Sequence, residues 1–481
     1  MAEFRALPLA LLTAALLAAC ASPAGLAPRS RGVADPDALA ASLSLAGTVK
    51  PGAWPAGDWW HAYGDPQLDA LVAEALAGNP DLRLARARLD GARAQAGAAE
   101  AGTRPRVVAE ANASRQRFSE FDLVPPPFAG SVRSTGHASL DFSWELDFWG
   151  RNRAALEAAL SREAAAAAEQ EGARLVLATA ISRAYVEFAR LRDQRELLET
   201  SLALHRENEG LMKLRLKAGL ELEAETRQAA TAVAQARAEL AALETTESLV
   251  RHQLAALAGA GPDRGLALRR PAMRLAGVLA LPSELPAELV ARRPDVAAAR
   301  QRVEAALGAS RAARAAFYPN VNLSAFAGVQ ALGFRNLFLA GSQVAGVSPA
   351  ISLPIFDGGQ LRAGLAGRQA EFDAAVAEYD ATVLAAVRDV SDQVAAWRGV
   401  DQQALAQEQA LGETGAAREL VRRRQGAGLA TRLAVINAEL RLLEQRRAMN
   451  DLRARRLDVA VQLNRALGGG FAAEGKLEKP L

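Results

Sequence analysis

Cysteine is almost absent: Cys20 is the only one in 481 residues, which excludes any disulfide within the chain. Methionine and histidine occur four times each, so there is little soft-ligand chemistry for a metal. His61, His137, His205 and His252 are scattered without metal-ligand spacing and read as surface or pore-lining residues. No P-loop, G-x-S-x-G or H-E-x-x-H motif occurs, and no catalytic constellation can be assembled. An excess of one charge is also missing, with 57 Lys and Arg against 54 Asp and Glu, which argues against a nucleic-acid binder. Beyond the N-terminus no segment is apolar enough to cross a bilayer as a helix.

What the sequence does have begins at residue 1. A cationic Met1 to Arg5 precedes about ten apolar residues, too short for a membrane span and of the length of a signal-peptide core, giving an expected signal peptide over 1–19. The run closes on Leu17-Ala18-Ala19-Cys20, which resembles a bacterial lipobox, where the cysteine is acylated and becomes the new N-terminus. The competing reading is an apolar N-terminal helix with a structural thiol. Two or more acyl chains anchor stably, so the resemblance implies a lipoprotein facing the periplasm or outer membrane. Ala21 stands where an Asp would favour inner-membrane retention. The covalent lipid on Cys20 is the only cofactor expected. Residues 20–65, rich in Pro and Gly, read as an extended strap.

The rest of the chain repeats itself. An offset of 214 places Asn79-Pro80-Asp81 over Arg293-Pro294-Asp295 and Pro105 over Pro319; an offset of 209 places the "AGL" at Ala218 over that at Ala427, and Gly259 over Gly468. Two structural repeats follow, over 66–265 and 280–470, with a tail over 471–481. Each is expected to open with a helix of about 35 residues and then two strands, over 105–118 and 136–148 in the first repeat and 319–331 and 343–356 in the second. In "HASLDFSWEL" Ala138, Leu140, Phe142, Trp144 and Leu146 alternate with polar residues, the pattern of a strand with one apolar face. Pro349 suits an edge strand or a bulge. A proline-free run from Asn152 to Lys217 then predicts a helix of roughly 100 Å, at about 1.5 Å per residue. It turns at "KAGLELE" and returns through Glu225 to Ala258; the second repeat turns at "GAGLATR".

Four strands with one apolar face are too few to close a barrel, for which about eight are needed, and lipid does not tolerate an open edge. Three copies supply twelve strands; a two-chain barrel of eight and a small soluble sheet capping a coiled coil are the alternatives. The fold class expected is mainly α with β: a tandem repeat whose long α-helical hairpins form a periplasmic helical barrel, plus four strands per chain contributing to a trimeric 12-stranded transmembrane β-barrel.

The lipobox, "YGDPQLDALVAEALAGNPDL", "FYPNVNLS", "LPIFDGGQLRA" and the two "AGL" turns resemble the TolC-type outer-membrane efflux factors, in their NodT-like lipoprotein branch, over nearly the whole mature chain. The resemblance implies a homotrimer in the outer membrane of a Gram-negative bacterium, lipid-anchored and extending into the periplasm. It implies as partners a periplasmic adaptor protein and an inner-membrane pump of the resistance-nodulation-division class, with no nucleic acid and no enzymatic turnover. A duct for type I secretion and a lipid-anchored periplasmic scaffold are the rival functions. The family closes its pore at the second repeat's turn, often with a Tyr three residues before the turn glycine and Asp six and nine after it. This chain has Gln425, Ala434 and Asn437 there, so the familiar acidic ring is missing. Arg432, Asn437 and Gln425 become the gate candidates, with Glu225 as a possible charge partner. Gly219, Leu220, Gly428 and Leu429 in the two turns are candidates for adaptor contact. Arg422 to Arg424 read as a solvated face or as ion-pair donors between helices.

Overall fold

The computed structural model describes residues 22–30, 32–33, 44, 50–121, 125–274, 280–281 and 289–472. The expected signal peptide, Cys20 and most of the expected C-terminal tail lie outside the described residues. The described chain is mostly helical. Its main elements are α1 (Pro66–Gly78), α2 (Pro80–Ala101), β1 (Arg106–Arg117), β2 (Val132–Leu146), α3 (Arg151–Lys217), α4 (Glu223–Leu257), α5 (Pro294–Ala315), β3 (Asn320–Leu332), β4 (Gln343–Ser352), α6 (Gln360–Gly426) and α7 (Arg432–Ala466). Helices α2 and α5 are each 22 residues long and begin at Pro80 and Pro294, 214 residues apart. Helices α3 and α6 are each 67 residues long, and α4 and α7 each 35, with starts 209 residues apart. The change of offset falls in the loops that join the strand pairs.

Several sequence expectations need correction. The opening helix of the first repeat is two helices, because Pro80 disfavours helical geometry at the residue before it, and Asn79 is extended at φ −66°, ψ 130°; in the second repeat the four-residue helix Leu289–Arg292 likewise stops before Pro294, where the 22-residue α5 begins. The strap does not stay extended, for Trp59–Tyr63 forms a 3-10 turn that buries three aromatic rings.

The chain divides into two compact units, one of residues 1–33, 89–166 and 299–379 and the other of 34–88, 167–298 and 380–481. The first holds the sheet. Its order is β1-β2-β3-β4, antiparallel throughout, so the central pairing of β2 with β3 joins the two repeats. Strand β2 starts at Val132, ahead of the expected 136, because its first residues still pair with the end of β1 at Arg117. Strand β4 stops at Ser352, short of the expected 356, as Pro354 approaches. Pro349 sits in this edge strand opposite Leu323. In the same unit α5 approaches α3 closely: a Cβ on Gly308 would lie 3.0 Å from Ala154 O and Ala158 Cβ. Residues of the strap dock on α6, where Arg362 Nη1 donates to Ser22 O at 2.6 Å and Asp373 accepts the N–H groups of Arg29 and Ser30 at 2.9–3.1 Å.

The second unit holds the larger core. Trp59, Trp60 and Tyr63 pack with Leu68, Leu71 and Val72 of α1, Ile181, Tyr185 and Phe188 of α3, Leu254 of α4, Trp397 of α6 and Val461 of α7. Asp65 caps α1 through Gln67 N at 3.0 Å and also accepts Tyr185 OH at 2.8 Å and Ala272 N at 2.6 Å. The repeated tripeptides meet equivalent partners. Asn79 Nδ2 donates to Leu257 O at 2.9 Å and Arg293 Nη1 to Ala466 O at 3.2 Å, so each satisfies the last carbonyl of its own repeat's return helix. Gly259 and Gly468, at φ 76° and 86°, let the chain leave those helices in contact with Gly78 O and Arg292 O.

Candidate functional site

Both hairpin turns are built alike. Gly219 and Gly428 each adopt φ 73°, and the following leucine N–H reaches back to the last helical turn, Leu220 N to Arg215 O at 2.9 Å and Leu429 N to Arg424 O at 2.8 Å. These are glycine-terminated helix ends, where an added Cβ would meet nothing within 4 Å. The apolar side chains of Leu220 and Leu429 are therefore left exposed. Entry to the return helices differs. Thr431 Oγ1 accepts Ala434 N at 3.3 Å and caps α7, whereas Leu222 has no side-chain acceptor and the first turn is fastened instead by Arg215 to Glu221 at 2.9 Å.

Arg432, the first residue of α7, makes a two-pronged contact with the first hairpin. Its Nε and Nη2 donate to the two carboxylate oxygens of Glu207 on α3, at 2.6 and 2.8 Å. The fork geometry matches a carboxylate in both distance and plane. Arg432 Nη2 also lies 3.8 Å from Glu439, which accepts from Arg418 Nη2 at 3.3 Å. A chain of alternating charge, Glu207-Arg432-Glu439-Arg418, thus ties α3 of the first repeat to α6 and α7 of the second. The paired Arg432 guanidinium holds the Glu207 carboxyl below its usual range, and Glu207 in turn holds Arg432 further toward its charged form.

The sequence placed Arg432 in this site but not its partner. Glu225 is exposed in the first turn of α4 beside Glu223, and the carboxylate that meets Arg432 is Glu207, further back on α3. Nothing in the local sequence marks Glu207, because the pairing depends on how the two hairpins lie together. Gln425 is half-buried and its backbone carbonyl accepts Gly428 N, while Asn437 is exposed on the second turn of α7. Arg422 to Arg424 are exposed, and Arg423 lies 3.7 Å from Glu419 one turn earlier.

The sheet has two chemically different faces. Val107, Leu140, Trp144, Val347 and Ile351, all on one face, are exposed. Glu110, Asn112, Asp141, Ser324 and Gln330 lie on the other. There Ser139 Oγ donates to Asp141 Oδ2 at 2.6 Å and lies 3.0 Å from His137 Nε2, and Ser114 Oγ meets Thr135 Oγ1 at 2.6 Å. His137 is thus a polar-face residue in a side-chain ladder. Among the described residues no group of His, Cys, Asp and Glu is arranged to hold a metal ion, and no helix is long and apolar enough to cross a membrane. Among the described residues, edge strands β1 and β4 each have one unpaired side.

A family model described as outer membrane efflux protein matches residues 71–260 and 285–469. The chain is 38% identical over 370 residues to the fusaric acid resistance protein FusA of Burkholderia cepacia, covering 76% of this chain and 69% of the relative. It is 30% identical over 434 residues to the multidrug resistance outer membrane protein MdtP of Escherichia coli K12, covering 89% of each. Among solved structures it is similar to the outer membrane protein VceC of Vibrio cholerae, with a TM-score of 0.79 and 37% identity over 87% of this chain and all of that one.

Proposed function

The chain belongs to the outer membrane efflux protein family, and from that membership we propose that three copies form the gated exit duct of a tripartite efflux system. An inner-membrane pump of the resistance-nodulation-division class loads this duct through a periplasmic adaptor. The observation that carries the trimer is the sheet: one face is apolar and exposed, and both edges are unpaired among the described residues. In lipid every edge must be closed. The β4 edge of one copy pairing with the β1 edge of the next closes a ring, and three copies give twelve strands. The apolar face then meets lipid and the face with Glu110 and Asp141 lines the lumen. The protein is an outer-membrane transport component, and its relatives are transport proteins rather than enzymes.

In this reading the Arg432–Glu207 clamp holds the hairpins in the closed arrangement, and Asn437 and Gln425 line the approach to it. Exposed Leu220 and Leu429 offer the adaptor two equivalent apolar contacts. Cys20 carries the lipid, and the strap that follows it is held to α6 by Arg362 and Asp373. The test is a deletion strain challenged with a panel of drugs, dyes and metals, together with affinity purification of the complemented protein. Sensitisation and recovery of an adaptor belonging to a resistance-nodulation-division pump are expected. Recovery of the adaptor of an ATP-driven protein exporter would replace this reading with a secretion duct.

A further inference from the structure

The apolar face of the sheet carries only two charged residues, Arg115 and Arg117, both at the end of β1 remote from the helices. Arg117 is occupied: its Nε donates to Gly130 O at 3.3 Å and its guanidinium lies 3.6 Å from Glu120. Arg115 is exposed and has no acidic partner among the described residues. In the sheet register it stands opposite Ser134, whose carbonyl accepts the N–H of Gly333 at 2.6 Å. Gly333 opens the β3–β4 connection, and Arg335, two residues further, is likewise exposed without an acidic partner among the described residues. Two strand spacings of about 4.8 Å put Arg115 about 10 Å from Gly333, a gap that two arginine side chains can close around one anion.

The same connection is fastened to the apolar face. A Cβ on Gly136 would lie 3.1 Å from Leu337 and 3.4 Å from Phe334, so those side chains rest directly on the glycine. Phe334, Phe338 and Leu339 remain exposed, Phe338 at 86%. Free guanidinium groups beside exposed phenyl and leucyl groups on a lipid-facing surface suit an anionic amphiphile.

The height of this patch decides which one. From Ser134 to Trp144 strand β2 rises about 33 Å, at about 3.3 Å per residue. With the tilt of about 40° usual in such barrels, that is about 25 Å along the membrane normal, the height of the apolar band. Trp144 then marks the periplasmic boundary, and Arg115 reaches the outer-leaflet headgroups. We propose that Arg115 and Arg335 bind the phosphate of a phosphorylated glycolipid of the outer leaflet, with Phe334, Phe338 and Leu339 against its acyl chains. Arginine suits this role because its planar fork makes paired, charge-assisted hydrogen bonds to phosphate oxygens.

The assignment rests on the outer-membrane placement, and the test separates the two. Purified channel in detergent is titrated with bis-phosphorylated lipid A, and separately with dephosphorylated lipid A, and adducts are counted by native mass spectrometry. Wild type is expected to prefer the phosphorylated lipid by about tenfold, as loss of charge-assisted hydrogen bonds implies. The R115Q/R335Q double variant should lose that preference while its single-channel conductance is unchanged, and R115K/R335K should retain part of it. Equal binding of the two lipids by wild type overturns the site without reference to any variant. A double variant that conducts normally and keeps the full preference also overturns it, leaving the channel reading intact.

Discussion

Arg432 shows how a single side chain can bind two repeats that share no local contact in sequence. Exposed ion pairs contribute about 1 kcal/mol or less each, so Arg432→Ala should raise the open probability of the reconstituted channel by up to about fivefold. Single-channel currents that do not change would remove the clamp from the gate. The sign of its pH dependence follows from Glu207, whose carboxyl is held low by Arg432. A carboxylate depressed by its partner contributes in full above its ordinary pKa, near 4.3, and the contribution disappears as pH falls through the lowered value. Conductance of wild type should therefore be flat from neutral pH down through the ordinary glutamate range and rise only below it; Glu207→Gln should be leaky throughout, as a pH series of planar-bilayer recordings would show. Glycines also separate by environment. Gly259→Ala brings a Cβ to 2.7 Å from Gly78 O at φ 76°, and about 1–3 kcal/mol of destabilisation is expected in a thermal or denaturant melt. Gly219→Ala meets no neighbour and should lose only about 1–2 kcal/mol from its left-handed backbone.

Among the elements, the long helices and their turns were legible in the sequence because their signals are local: freedom from proline, the "AGL" tripeptides and the glycines at Gly219 and Gly428. The break at Asn79 was missed although Pro80 announces it, because the helical pattern resumes immediately. Asn79 stays buried where its side chain finds Leu257 O. The 3-10 turn at Trp59–Tyr63 was missed for another reason: its aromatic rings are ordered by a core contributed from four distant helices. Because the turns at Leu220 and Leu429 have equivalent backbones and exposed apolar side chains, each should contribute to adaptor docking. Leu429→Asp should reduce adaptor recovery in a pull-down by about tenfold, the loss of a fully buried leucine being about 1.5–3 kcal/mol, while leaving the circular dichroism and melting of the protein unaltered.

For the whole molecule, the strand count is the controlling quantity. A sheet with two open edges cannot remain in lipid as a single copy, so the detergent-purified protein should contain three chains per particle by mass photometry. Replacing Cys20 with alanine behind a cleavable signal should leave that count and the detergent requirement unchanged, since the apolar strand face remains; a freely soluble monomer would point instead to a lipid-tethered scaffold. Periodicity, the offsets between halves and short motifs such as "FYPNVNLS" and "LPIFDGGQLRA" are properties of nearby residues, and from them the long helices, the hairpins, the strand faces and the family could be read without coordinates. Which carboxylate answers Arg432, and that the connection carrying Arg335 begins two strand spacings from Arg115, came from the folded packing alone. Such pairs join residues more than 200 positions apart, and their meeting depends on the packing of two repeats, which no local pattern records.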